Sequence, residues 1–327
     1  MKICVVGAGA IGGFLGTRLA LAAKAEITAL ARGATLAALN EHGWRLAQNG
    51  KLLQCPAQAS DDPRALGVQD LVILAVKGQS LPALAGTLAP LIGPQTLVLP
   101  AMNGVPWWFS EIIPALGGRP LESVDPGGLI ARAIPVAQVI GCVVHVSTAT
   151  SEPGLVVHTT GQGLIIGEPA GGESARVAPI AAVLARAGFD VTCSIAIARD
   201  IWYKLWGNMT ANPVSAITGA TMDRILADEL VRDFCANAMR EAGLIGDRIG
   251  CGIKQTPEDR FAVANKLGAF KTSMLQDVEA GRSIELGSLV GVVREIGQRT
   301  GVATPTINAL FGLARLFGRA HGLYPPA

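Results

Sequence analysis

The chain has 327 residues, of which 50% are hydrophobic, 16% charged and 5% aromatic, with a formal net charge of +2. That length exceeds one ordinary core and fits two domains, and the apolar fraction excludes a disordered chain. No Lys/Arg cluster or basic stripe interleaved with aromatics stands out, which argues against a nucleic-acid partner.

The first elements alternate. A β-branched run over Lys2–Val6 predicts a strand, 11–22 a helix and 26–31 a second strand. A short helix over 35–42 follows, then a hairpin over 44–55 turning on Asn49-Gly50. The apolar run over 70–76 predicts a buried parallel strand, followed by a helix over 81–91 and a strand over 96–100. Residues 139–150 and 155–166 are β-rich, separated by Glu152-Pro153-Gly154; 174–187 is helical, and 190–194 is a last strand. From Asp200 onward helical periods dominate, as over 201–217, 228–249, 257–281 and 284–300. The pattern predicts an α/β domain over 1–195 and an all-helical domain over 196–327, without an internal repeat.

Two stretches mimic membrane or export signals. Residues 1–23 join a positive charge to an apolar run, but Gly7, Gly9, Gly12, Gly13 and Gly16 interrupt it, so no signal peptide is expected. Residues 78–110 carry no charge, yet Pro82, Pro90, Pro94, Pro100 and Pro106 break them into helix, turn, strand and loop rather than a lipid-spanning helix. None of the 6 cysteines forms a C-x-x-C pair. Cys4, Cys55, Cys142 and Cys193 lie in or beside apolar stretches and read as buried free thiols. The 4 histidines are scattered, so no metal is expected.

Gly7-Ala8-Gly9-Ala10-Ile11-Gly12 is a G-x-G-x-x-G placed between a strand and a helix, the context that gives it meaning. Gly7 permits the turn, Gly9 leaves room for a pyrophosphate, and Gly12 lets the helix pack on the strand. The helix N-terminus then offers N–H groups to the phosphates. The second strand ends in Leu30-Ala31-Arg32-Gly33, without the acid that binds an NAD ribose hydroxyl. Arg32 is either a solvated surface residue or a bidentate partner for a 2′-phosphate, which selects NADP.

Lys204, Asn208 and Asn212 recur at i, i+4 and i+8, on one face of a helix whose neighbours Ile201, Trp202, Leu205, Trp206 and Met209 are apolar. Such a face is either an ordinary solvent side with amides capping nearby backbone, or a row of donors for a substrate's oxygens. Taken singly, Asn103-Gly104 is also a turn pair, Lys77 a solvated strand end, and Ser273 and Glu285 surface residues. Trp107-Trp108 reads as packing, with no chemistry assigned.

In order along the chain stand residues 7–12, Ala75-Val76-Lys77, Met102-Asn103-Gly104, Lys204…Asn208…Asn212-Pro213, Ser273-Met-Leu-Gln-Asp277 and Glu285. Over nearly its whole length the sequence resembles the ketopantoate reductase (2-dehydropantoate 2-reductase) family. The resemblance implies a Rossmann-type dinucleotide-binding domain followed by an all-helical domain of the 6-phosphogluconate-dehydrogenase C-terminal type. It implies NADPH-dependent reduction of 2-dehydropantoate to (R)-pantoate, a step toward pantothenate and coenzyme A. Lys204 matches the family's proton donor, and Glu285 a position beside the nicotinamide ribose and the reacting groups. Asn208, Asn212 and Ser273 match substrate positions, Asn103 one near both ligands, and Lys77, Arg32 and Ala149 cofactor contacts. A small 2-keto acid partner, no nucleic acid or membrane, a cytoplasmic location and a monomer or homodimer complete the expectation.

The chain also departs from the family pattern. Phe270 stands where an amide often precedes the serine, Met222 where an Asn is common, and 106–135 is longer than in compact members. These changes leave a larger or less polar 2-keto acid as an alternative substrate on the same scaffold. Another dehydrogenase of this plan, acting on a β-hydroxy acid, an opine-like amine or a sugar phosphate, is disfavoured by Arg32 and by the lack of extra cations near Lys204. An idle NADP-binding sensor is disfavoured by the joint presence of Lys204, Asn208 and Asn212.

Overall fold

Apolar runs bounded by Gly and Pro dictate the first half of the molecule. In the computed structural model, residues 1–22, 25–266 and 268–326 are described; Ala23, Lys24, Leu267 and Ala327 lie outside the described residues. The chain divides into two compact units, Met1–Trp108 with Gly128–Asp200, and Phe109–Gly127 with Ile201–Ala327. The sequence reading draws a single boundary after 195, whereas here 109–127 groups with the helical residues.

The first unit contains β1 (Lys2–Val6), α1 (Ala10–Leu21), β2 (Glu26–Leu30), α2 (Gly33–His42), β3 (Trp44–Gln48), β4 (Lys51–Cys55), β5 (Gln58–Ser60), α3 (Pro63–Leu66), β6 (Gln69–Leu74), α4 (Leu81–Ala85) and β7 (Ile92–Pro100). Its main sheet has the order β5-β2-β1-β6-β7 with every pair parallel. Leu71, Val72, Ile73 and Leu74 are all buried, as expected for a parallel strand covered on both faces. The predicted helix over 81–91 is α only to Ala85. It then tightens into a 3-10 turn over Gly86–Leu91, because Pro90 cannot extend an α-helix.

After the excursion that opens with α5 (Phe109–Ile112), the first unit resumes with α6 (Leu129–Ala133), β8 (Gly141–Glu152), β9 (Leu155–Gly167), α7 (Val177–Arg186) and β10 (Asp190–Ser194). A second sheet runs β10-β9-β3-β4, with β8 antiparallel on β9. It packs across α1. A Cβ on Gly16 would stand 2.3 Å from the Trp44 ring, so a glycine stripe on α1 lets this sheet approach. Asn49 and Gly50 take φ of 51° and 71° in the predicted turn between β3 and β4.

The second unit is helical beyond Ile201. It holds most of α8 (Ile197–Thr218), then α9 (Met222–Ala227), α10 (Glu229–Arg248), α11 (Pro257–Asn265), α12 (Ser273–Glu279), α13 (Val292–Thr300) and α14 (Pro305–Ala320). The single helix predicted over 257–281 is two, each with its own threonine cap: Thr256 in a capping box with Asp259, and Thr272 accepting from the Leu275 N–H. Residues 109–127 are fastened to α13. The Glu295 carboxylate accepts the N–H groups of Glu122 at 2.9 Å and Ser123 at 2.8 Å, and Arg299 donates to Glu295 at 2.6 Å and to the carbonyls of Arg119 and Pro120. Charge-assisted bonds of this kind are worth about 1.5–3 kcal/mol each.

The six cysteines are free. Cys4 and Cys235 are buried, and burial pushes their thiols up to about 11 and about 12, which keeps them unreactive. The expectation for Cys55 and Cys193 needs correction: Cys55 is half-buried, and Cys193 is exposed because β10 is an edge strand. Among the described residues no helix is long and apolar enough to cross a membrane, and no group of three His, Cys, Asp or Glu side chains is placed to hold a metal ion.

Candidate active site

The loop over 7–12 is shaped by two close approaches. Gly7 follows β1 at φ 88°, and its N–H donates to the Leu30 carbonyl at 3.0 Å. A Cβ on Gly12 would stand 1.9 Å from the Gly7 carbonyl oxygen and 3.0 Å from the Ala75 Cβ, so the start of α1 rests on this loop only while residue 12 is glycine. A Cβ on Gly9, in contrast, would meet nothing within 4 Å. Gly9 caps α1 without a side-chain acceptor, and no acid stands in the first turn. The first N–H groups of α1 therefore adjoin open space with no competing carboxylate, which fits a pyrophosphate.

Other predicted cofactor residues converge on the same edge. Val6 pairs with Leu30 and Leu74, and Leu74 with Pro100, so β1, β2, β6 and β7 end level. Arg32, Lys77 and Asn103 follow the ends of β2, β6 and β7 within three residues. Arg32 is exposed and is the N-cap of α2; Lys77 and Asn103 are half-buried. This edge flanks the point where strand order reverses about β1, the usual ligand position in open parallel sheets. Ala149 comes from the second sheet: it sits on β8 opposite Val157, whose neighbour Val156 packs against Gly13 of α1.

In the second unit, α8 buries Trp202, Leu205, Trp206 and Met209. The Trp206 indole N–H donates to the Met239 carbonyl at 2.7 Å, which fixes the helix's rotation. The stripe of Lys204, Asn208 and Asn212 lies on another side, with the first two half-buried and Asn212 buried. Asn212 Nδ2 donates to Ser273 Oγ at 3.5 Å, joining residues 61 positions apart. Ser273 is exposed and opens α12. Glu285 is half-buried on a separate segment, whose Ile284 N–H donates to the Leu323 carbonyl at 3.0 Å. A π-helical turn, Gly287–Gly291, follows Glu285, and such turns recur at functional sites. Ser123 of the excursion packs on this turn, its carbonyl oxygen 3.0 Å from where a Gly287 Cβ would stand. An amine, two amides and a hydroxyl on α8 and α12 can bind carbonyl, carboxylate and hydroxyl oxygens of a small acid.

Residues 3–171 match the family model of ketopantoate reductase PanE/ApbA, and residues 196–317 match that of its C-terminal part. A 2-dehydropantoate 2-reductase of Mesorhizobium japonicum is 41% identical over 325 residues, covering 99% of this chain and 100% of that one. The chain belongs to the ketopantoate reductase family. A crystal structure from Ralstonia solanacearum MolK2 matches at a TM-score of 0.95 and 56% identity over 99% of each chain. A PanE/ApbA family ketopantoate reductase from Ralstonia eutropha JMP134 matches at a TM-score of 0.82 and 27% identity, over 98% of this chain and 100% of that one.

Within this ketopantoate reductase scaffold two of the three expected departures from the family pattern, Met222 and Phe270, meet. The Met222 N–H donates to the Phe270 carbonyl at 3.1 Å, with Met222 buried and Phe270 half-buried, so both apolar replacements fall at the junction before α9 and α12. Sequence reasoning overlooks Ser215 and Thr272, which flank the Asn212–Ser273 contact. The available signal is local: Ser215 is one helical turn after Asn212, and Thr272 occupies a cap position directly before Ser273.

Proposed function

We propose that this protein is an NADPH-dependent 2-dehydropantoate 2-reductase, forming (R)-pantoate on the way to pantothenate and coenzyme A. The observation that carries this reading is the Lys204–Asn208–Asn212 face of α8 with Ser273 hydrogen-bonded to Asn212. The name of the 41% identical relative supports the same substrate. Residues 1–195 hold most of the cofactor, and 196–327 supply the proton donor and most of the substrate contacts.

Gly7, Ala8, Gly9, Ala10, Ile11 and Gly12 hold the pyrophosphate, Arg32 the 2′-phosphate, and Lys77, Asn103, Ala149 and Glu285 further parts of the cofactor. When bound, NADPH supplies the hydride. Asn208, Asn212 and Ser273 orient the acid and hydroxyl oxygens, and Asn103 serves both ligands. As negative charge grows on the ketone oxygen, the Lys204 ammonium stabilises it and gives up a proton, leaving an alcohol and a neutral amine. Glu285 holds that amine in place. The protein works in the cytoplasm, as a monomer or homodimer, on a small 2-keto acid, with neither nucleic acid nor membrane as partner.

Incubation with NADPH and 2-dehydropantoate is expected to yield pantoate of R configuration, mole for mole with NADPH consumed; NADPH loss without pantoate contradicts the reading. Cofactor choice is tested separately by Arg32→Ala. Losing a bidentate guanidinium–phosphate contact, at about 1.5–3 kcal/mol, should cut the preference for NADPH over NADH by about tenfold to a hundredfold. An unchanged ratio of the two dissociation constants removes Arg32 from the site.

A further inference from the structure

The Asn212–Ser273 contact is held from behind by a buried chain of hydroxyls. Ser215 Oγ donates to the Asn212 carbonyl at 3.0 Å and also pairs closely with Thr272 Oγ1. A hydroxyl has one proton to give. Since Ser215 spends its proton on Asn212, Thr272 donates to Ser215, and Thr272 Oγ1 accepts in turn from the Leu275 N–H at 3.2 Å. The direction is thereby set along the whole chain, from the Leu275 amide through Thr272 and Ser215 to the Asn212 carbonyl. Ser215 is 0% exposed and Thr272 5%, so the chain is shielded from water and each bond polarises the next.

The place of this chain matters because α8 is locally weakened there. Pro213 has no N–H for the helical ladder, and a serine that bonds back to a carbonyl one turn earlier bends a helix. Asn212 directly precedes Pro213 and its carbonyl takes the Ser215 bond, and its amide must meet Ser273 across a separation of 3.5 Å. The tie from Ser215 to Thr272 fastens the backbone on one side of that contact to the backbone on the other.

We infer that Ser215 and Thr272 are positioning residues that set the Asn212–Ser273 spacing, so that the two side chains grip one oxygenated end of the 2-keto acid together. The inference rests on the substrate reading above. Neither hydroxyl touches substrate; both act through their neighbours.

Ser215→Ala is the informative variant, because it removes the link and leaves Thr272 free to cap α12. Losing one orienting hydrogen bond is expected to raise KM for 2-dehydropantoate about tenfold, with kcat within about twofold and NADPH affinity unchanged. Thr272→Ser, which keeps the hydroxyl, should behave as the unaltered enzyme. A crystal structure of Ser215→Ala should show the Asn212–Ser273 pair parted beyond hydrogen-bonding distance. A variant that melts earlier but keeps its KM and its Asn212–Ser273 spacing shows packing alone and overturns the inference. If the unaltered protein reduces no 2-keto acid, the substrate reading fails. The Ser215→Ala structure still decides the inference then: an unmoved Asn212–Ser273 pair sinks it.

Discussion

Lys204→Ala is expected to lower kcat/KM for NADPH-dependent reduction of 2-dehydropantoate by about 10²- to 10⁴-fold, the usual weight of a positioned general acid, while NADPH still binds. The two readouts separate because of where the residues stand. Lys204 lies on α8 within the second unit, whereas the phosphate loop, Arg32 and Lys77 belong to the first. The apolar side of α8 does not involve Lys204, so the variant should fold. Lys204→Arg makes a useful companion. It keeps a positive charge near the developing alkoxide but holds its proton too tightly to donate it at neutral pH, so it should recover only part of the loss. Full turnover in Lys204→Ala sinks the proton-donor assignment, and loss of NADPH binding points to a structural role.

Alanine substitutions at Gly9 and Gly12 are expected to weaken NADPH binding by different routes. At Gly12 the new Cβ would stand 1.9 Å from the Gly7 oxygen, so the start of α1 must lift off the loop. Overpacking of this kind costs about 1–3 kcal/mol of stability. It also misplaces the first amides of α1, which are proposed to face the phosphates. Losing two charge-assisted bonds at about 1.5–3 kcal/mol each reduces affinity at least about a hundredfold. At Gly9 the Cβ enters open space and the backbone is extended at φ −78°, so thermal stability should hold while the methyl keeps the pyrophosphate at a distance. Calorimetric melting and NADPH titration of both variants check the pair. Undiminished NADPH affinity in Gly9→Ala removes the loop from the binding site.

The shape of the glycine loop over 7–12 is legible in the sequence because glycine at fixed offsets has a direct steric meaning. Gly12 is needed to avoid Gly7, its neighbour in space and nearly so in sequence. Gly16 carries no such signal: its reason is Trp44 on the second sheet, which no local pattern reveals. Helix periodicity places Lys204, Asn208 and Asn212 on one stripe but does not announce Ser273, since that contact joins α8 to α12. The break between α11 and α12 is readable afterwards from the capping box at Thr256 and the cap at Thr272, although apolar periodicity alone runs straight through it. The grouping of 109–127 with the helical unit escapes any local reading. Its acceptor, Glu295, lies 173 positions beyond Glu122 and looks like an ordinary helix-surface acid until the backbone amides of Glu122 and Ser123 are seen to bond to it.

The most direct test of the central claim is a comparison of kcat/KM for a panel of 2-keto acids, differing in size and polarity, with NADPH and with NADH, followed by loss of reduced-nicotinamide absorbance. The account predicts the highest value for 2-dehydropantoate with NADPH, and a marked drop with NADH. No turnover of 2-dehydropantoate, or a higher value for another acid with either cofactor, would contradict it.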